Sequence, residues 1–131
     1  MTVVLDASVL IAHLDGNDVH HGRAVDLLLA ATGSPFAASV VTIAEVLVGP
    51  ARVGALGRAQ GALDALGLAP VGLGVDSPAQ LATLRAESGL KLPDCCVLLA
   101  ARDTGASAVL TFDHRLADAA RAVGLPTGEP S

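Results

Sequence analysis

Thr2-Val3-Val4-Leu5-Asp6-Ala7-Ser8-Val9-Leu10-Ile11 is the stretch on which the fold class of this chain turns. Thr2 to Leu5 is a short, mostly β-branched run, the composition of a strand buried on both faces of a parallel sheet. Asp6 or Ser8 then offers a side-chain oxygen to the open amides of a helix start. The helix predicted behind it carries Val9, Leu10, Ile11 and Leu14 and stops around Asp15-Gly16-Asn17. The unit is strand, acid, helix, and the acid falls where strand and helix meet.

The unit recurs along the chain. His20 to Ala31 reads as a helix, Phe36 to Ser39 as a brief strand, and Thr42 opens a helix that ends by Gly49-Pro50. Arg52 to Leu66 has helical spacing at Val53, Leu56, Leu63 and Leu66. Gly54, Gly57 and Gly61 weaken it by about 1 kcal/mol each relative to Ala. Leu68 to Val71 is a faint strand, Ser77-Pro78 starts a helix to about Glu87, and Pro93 opens an apolar helix from Asp94 to Thr104. Ser107 to Thr111 is a clear strand, and Asp113 caps a last helix to about Val123. Alternating strands and helices predict an α/β fold of three layers, with a central, mostly parallel sheet of four to five strands flanked by helices. One domain is expected over residues 1–125, with 126–131 as a flexible tail.

Composition narrows the chemistry. The 131 residues suffice for a single core. Hydrophobic content is 52%, yet Asp, Arg or His interrupts every apolar run. None approaches the roughly 20 residues of a membrane span. The N-terminus reads as a strand rather than a leader peptide, so a cytoplasmic protein is expected. Cys95 and Cys96 are adjacent in an apolar helix and read as small buried hydrophobes in a reducing compartment. Thirteen acids against eight Lys and Arg leave a net charge of −5, the opposite of a nucleic-acid footprint. Phe36 and Phe112 are the only aromatic residues, which excludes a base-stacking platform. A polyanionic substrate would therefore need bound cations to invert the local charge.

Four acids, Asp6, Glu45, Asp94 and Asp113, stand at or near predicted strand-to-helix junctions. Taken singly, each has a capping explanation. Asp6 and Asp113 suit N-caps, Thr42-x-x-Glu45 matches a capping box, and Asp94 suits a first helical turn. Taken together, they belong on one edge of the sheet, outside the carboxyl ends of the strands, where open α/β sheets bind ligands. Carboxylates gathered there repel and raise one another's pKa, and a hard divalent cation with a preference for oxygen relieves them.

The order and spacing of these motifs resemble the PIN-domain ribonucleases, in particular the VapC toxins of toxin–antitoxin pairs, over nearly the whole chain. Val3-Val4-Leu5-Asp6-Ala7-Ser8 is similar to that family's opening strand, and Thr42-x-x-Glu45, Leu92-Pro93-Asp94 and Thr111-Phe112-Asp113 to its other acidic motifs. The resemblance implies a Mg2+- or Mn2+-dependent endoribonuclease, often acting on tRNA or rRNA, that leaves a 3′-hydroxyl and a 5′-phosphate. It implies Asp6 and Asp94 as direct metal ligands, Glu45 at a second ion or a water, Asp113 acting through water, and Ser8 in support. It further implies a homodimer and a VapB-type antitoxin, for which the Arg52 to Leu66 region would suit a groove. The family's usual final strand has little counterpart in Gly124-Leu125-Pro126-Thr127.

Arg102 and Arg115 are candidates for RNA phosphate contact, as is Arg85, although a residue of this kind is more often an ordinary surface one. His20 and His21 read as solvated, and His114 as exposed in a first helical turn. Two other functions stay open: a PIN-like module that binds RNA or protein without chemistry, and a receiver- or HAD-type phosphotransfer domain. Against the latter, Asp6-x-Ser8 is not Asp-x-Asp, and Lys91 lies outside any strand end.

Overall fold

The computed structural model describes residues 1–128. Four strands, β1 (Val3–Leu5), β2 (Phe36–Ser39), β3 (Ala69–Val71) and β4 (Ala108–Leu110), form one sheet in the order β3-β2-β1-β4. All three pairings are parallel. Seven helices surround it among the described residues: α1 (Ala7–Leu14), α2 (His21–Ala30), α3 (Val40–Arg52), α4 (Leu56–Ala65), α5 (Ser77–Ser88), α6 (Leu92–Thr104) and α7 (His114–Ala122).

β1 lies inside the sheet, and its three residues are buried. Because side chains alternate along a strand, Val3 and Leu5 join the core containing Leu10, Leu28, Phe36 and Val46, while Val4 joins Cys95, Leu98, Val109 and Leu116. A fully apolar β1 is thus what a sheet covered on both faces requires. β3 is an edge strand and carries Pro70, which lacks an amide to donate. Both cysteines are free and buried, as their apolar setting suggested. Among the described residues no helix is long and apolar enough to cross a membrane.

Three local expectations change. α3 begins at Val40, not Thr42, because Ser39 at the end of β2 caps it with Oγ accepting from the Val41 amide at 3.2 Å. The Thr42–Glu45 capping box therefore does not form, and Thr42 lies wholly buried inside the helix with its hydroxyl unpartnered among the described residues. α3 also runs through Pro50 to Arg52, since a proline in the last turn removes only its own amide from the ladder. The helical spacing from Arg52 to Leu66 is divided at Gly54, whose φ of +72° turns the chain before α4.

The end of the domain also shifts. Among the described residues the sheet holds four strands, within the four to five expected, and beyond it the Val109 amide donates to Pro126 O at 2.9 Å, and Thr127 is buried with its hydroxyl accepting from Arg121. Residues 126–128 thus pack beside β4 instead of starting a flexible tail at 126. The rest of that expected tail, 129–131, lies outside the described residues.

Candidate functional site

Strand order places the site. β2 and β3 lie on one side of β1 and β4 on the other, so the crossovers diverge at the carboxyl ends of β1 and β4. The register sets Leu5 beside Leu110, and the Asp6 amide donates to Leu110 O at 3.1 Å. Asp6 and Thr111, the next residues of each strand, are thereby brought side by side.

Asp6 is 4% exposed and anchors a hydrogen-bond network. Its Oδ1 accepts from the Val9 amide at 3.1 Å, which caps α1, and from Ser8 Oγ at 2.7 Å. Its Oδ2 accepts a short bond from the Thr111 hydroxyl. Ser8 Oγ accepts from the Phe112 amide at 3.0 Å, and Thr111 Oγ1 from the Asp113 amide at 2.9 Å. Two hydroxyls, one from each junction, therefore tie the end of β1 to the end of β4. Burial pushes the Asp6 carboxyl above the ordinary carboxylate range, the bonds from Thr111, Ser8 and Val9 pull it back, and the charge of Asp94 adds to the rise.

The other acids differ from Asp6 and from one another. Asp113 is exposed and caps α7, its Oδ1 accepting from the Arg115 and Leu116 amides at 2.9 and 3.1 Å. Asp94 is half-buried in the first turn of α6, yet among the described residues no amide or side chain hydrogen-bonds its carboxylate. Its capping explanation reduces to a favourable helix-dipole position. Burial raises the Asp94 pKa, the Asp113 charge raises it further, and Lys91 and Arg115 oppose the rise. Glu45 is exposed on α3; partial desolvation raises its pKa first, followed by the charges of Asp94 and Asp6. Asp94 thus interacts by charge with Asp6, Glu45 and Asp113, and Glu45 also feels Asp6.

The oxygen-only donor set fits a hard divalent cation in its chemistry. Among the described residues, however, no three His, Cys, Asp or Glu side chains already stand together as a ready cage. Asp6 and Asp113 also do the capping that their positions predicted.

The basic candidates separate. Arg115 lies close enough to Asp94 to lower its pKa, and its Nη2 donates to Gly89 O at 3.3 Å. Arg102 sits in the last turn of α6, eight residues beyond Asp94. At 1.5 Å per residue that is about 12 Å along the axis, so the fold does not bring Arg102 to the acids. His114 is exposed, and His21 Nδ1 lies 2.7 Å from Ala12 O, a bond that holds α2 to α1.

Thr111 is the functional residue that sequence reasoning missed. Its position mirrors Ser8, a hydroxyl beside an acid at a strand end, but only the β1–β4 register reveals that it reaches Asp6. Thr111→Val keeps the shape and leaves Asp6 Oδ2 without that donor. It should lower the unfolding free energy by about 2 kcal/mol, the worth of a buried hydrogen bond to a charged group, in urea titrations. An unchanged midpoint and slope would refute the role given to this bond.

Comparison with known proteins places this arrangement. A profile described as PIN domain matches residues 3–122. No curated protein sequence matches. Among solved structures, the chain resembles the sarcin–ricin loop cleaving toxin VapC20 of Mycobacterium tuberculosis, with a TM-score of 0.77 at 19% identity over 98% of this chain and 99% of the other. A toxin–antitoxin complex from Klebsiella pneumoniae gives 0.71 at 22% identity over 98% and 99%. VapBC2 from Rickettsia felis, bound to a DNA fragment from its promoter, gives 0.67 at 16% over 97% of each chain. At these identities the likeness is one of fold.

Proposed function

The chain belongs to the PIN domain family, and on that premise we propose that it is a divalent-metal-dependent endoribonuclease, the VapC-type toxin of a toxin–antitoxin pair. The observation that carries the reading is Asp94, bound to no cap, within the field of Asp6, Glu45 and Asp113 near the carboxyl ends of β1 and β4. Capping accounts for Asp6 and Asp113, but it does not account for Asp94 and Glu45.

Asp6 and Asp94 would hold Mg2+ or Mn2+ directly, Glu45 a second ion or a water, and Asp113 would act through water. Mg2+ suits carboxylates that do not form a complete cage, because it is commonly held by one or two of them together with waters and substrate phosphate. When bound, the ion supplies charge neutralisation and Lewis acidity at the scissile phosphate. The protein's own part is positional. Ser8 and Thr111 fix the Asp6 carboxylate between β1 and β4, Asp94 reaches in from α6 uncommitted to any cap, and Glu45 faces them from α3 to orient water. Water oxygen attacks phosphorus as the P–O3′ bond breaks, giving a 3′-hydroxyl and a 5′-phosphate.

The substrate would be tRNA or rRNA in the cytoplasm, the chain a homodimer, and its partner a VapB-type antitoxin. A cleft of about 290 Å3 between α1 and α3, lined by Ile11, Leu14 and Glu45, supports a docked antitoxin segment ending at the acids. A second of about 360 Å3, lined by Leu47, Leu63 and Leu68, supports the expectation for the Arg52 to Leu66 region.

Incubation of the purified chain with total tRNA and rRNA in Mg2+ should yield discrete fragments bearing 5′-phosphates, and EDTA should abolish them. Intact RNA under both conditions would favour the inert binding module. Fragments that persist in EDTA would exclude the metal. Lys91 is the N-cap residue of α6, close enough to Asp94 to lower its pKa, so the case against phosphotransfer is that Asp6-x-Ser8 lacks the second aspartate of Asp-x-Asp.

A further inference from the structure

Two exposed cations stand beside the acid that no cap occupies. Lys91 is the N-cap residue of α6, three residues before Asp94. Arg115 lies in the first turn of α7, where its amide donates to Asp113 Oδ1 at 2.9 Å. The Asp94 carboxyl, pushed up by burial and by the Asp113 charge, is drawn back by Lys91 and then by Arg115. The Arg115 side chain crosses from α7 to the turn between α5 and α6, and its Nη2 donates there to Gly89 O at 3.3 Å. One turn therefore carries Lys91 and receives Arg115, and Asp94 follows it directly.

That turn is fixed. Gly89 ends α5 in the left-handed region with a φ of +71°, and its amide donates to Arg85 O at 2.8 Å. The Leu90 amide donates to Ser88 Oγ at 3.1 Å, and the Leu90 side chain is buried. Arg85 Nη1 donates to Leu90 O at 2.8 Å, so Arg85 holds the turn.

The ordinary explanation is that Lys91 and Arg115 merely balance the Asp94 charge. A balancing cation gains most in contact, yet among the described residues neither forms an ion pair with Asp94 or any other carboxylate. The Gly89 bond occupies Nη2, and among the described residues no acceptor takes Arg115 Nε or Nη1. Arg115 also lines a cleft of about 470 Å3 between α5 and α7. Glu87 and Asp118 line it too, but Asp118 pairs with Arg121 instead. A metal ion on the acids would repel two neighbouring cations unless an anion lay between them. A phosphodiester is such an anion. The planar guanidinium fork matches it bidentately, and the ammonium adds a point charge.

We propose that Lys91 and Arg115 together seat an RNA backbone phosphate next to Asp94, on the rigid turn between α5 and α6. The inference rests on the ribonuclease reading for its substrate class. It makes the seat depend on the ion, because carboxylates without a metal repel the phosphate.

The test uses the full chain and a fluorescein-labelled single-stranded RNA of randomised sequence, read by anisotropy across a KCl series in Mg2+ and in EDTA. Cleavage of total tRNA and rRNA at saturating Mg2+ supplies the kinetics. In Mg2+, Lys91→Gln and Arg115→Gln should each raise the Kd and KM about 5- to 10-fold and reduce the salt slope of binding by about 0.7. Cleavage at saturating RNA should change less than about twofold. Arg115→Lys should keep the slope and still lose affinity, since it keeps the charge without the fork. In EDTA, parent and variants should bind equally weakly. Variants with unchanged Kd, KM and slope overturn the proposal, as does tighter Mg2+ binding with unaltered RNA binding, which would leave the cations only balancing Asp94. If the parent binds RNA in Mg2+ without cleaving it while the variants lose slope, the ribonuclease reading falls and the phosphate seat stands. A parent that neither binds nor cleaves RNA removes both.

Discussion

Asp94→Asn should leave the protein folded and slow its RNA cleavage by about 10²–10⁴-fold, the range commanded by single catalytic side chains. The size of the effect follows from what the carboxylate does not do. It accepts no hydrogen bond among the described residues, so an amide in its place breaks nothing in the fold. Loss of a negative charge from the first turn of α6 costs about 0.3–1 kcal/mol of dipole interaction. Relief of repulsion with Asp6, Glu45 and Asp113 opposes that loss, and the unfolding free energy should stay within about 1 kcal/mol of the parent. The measurement pairs single-turnover cleavage in Mg2+ with urea titration. Full activity in a stable Asp94→Asn protein would remove this residue from the metal site.

Asp6→Asn is the less informative substitution, although sequence reasoning ranks the two residues together. An asparagine can still accept from the Val9 amide, but its Nδ2 cannot accept the Thr111 hydroxyl that reaches Asp6 Oδ2. Loss of activity there mixes chemistry with disruption of the β1–β4 junction. Asp94 separates the two contributions.

Local apolar pattern and turn chemistry made the elements legible. Val3-Val4-Leu5 announces a strand buried on both faces, and Asp6 and Asp113 read as the caps they are. The four acidic motifs also pointed to one sheet edge, because strand ends and helix starts share an edge in parallel α/β folds. Contacts between residues distant in sequence escaped. Ser39 displaced Thr42 as a cap because the last residue of β2 accepts the Val41 amide, which starts the helix two residues earlier than expected. Thr111 reaches Asp6 across 105 positions of sequence, a pairing that only the register of β1 with β4 creates. Arg102 looked equivalent to Arg115 as a basic residue in a late helix, yet α6 carries it away from Asp94. Pro126 and Thr127 read as tail by composition, but a single amide from β4 and one arginine hold them in place.

Mg2+ should raise the melting temperature of the metal-free chain by about 10 °C at neutral pH, and Asp94→Asn should lose most of that gain. A ligand at about 100 times its Kd that binds only the folded state stabilises by about 2.7 kcal/mol. For a domain of this length each kcal/mol is worth about 4 °C. The pH dependence supplies the sign. Asp6, Glu45 and Asp94 all have folded pKa values raised above their unfolded ones, near 4 for carboxyls, so between the two values the folded chain binds more protons than the unfolded chain. Stability from these groups is full below the unfolded value and is lost as pH rises through the folded ones. At neutral pH the ion does what protons do in acid, and as the solution is acidified toward about pH 4 it finds carboxyls already protonated and binds weakly. Thermal melts by circular dichroism, in EDTA and in Mg2+ against KCl of matched ionic strength, read the difference directly. An equal gain in KCl would assign the effect to screening, and an equal gain in Asp94→Asn would place the ion elsewhere on the surface. A gain specific to Mg2+, dependent on Asp94 and fading in acid places the ion among these carboxylates without any reference to cleavage.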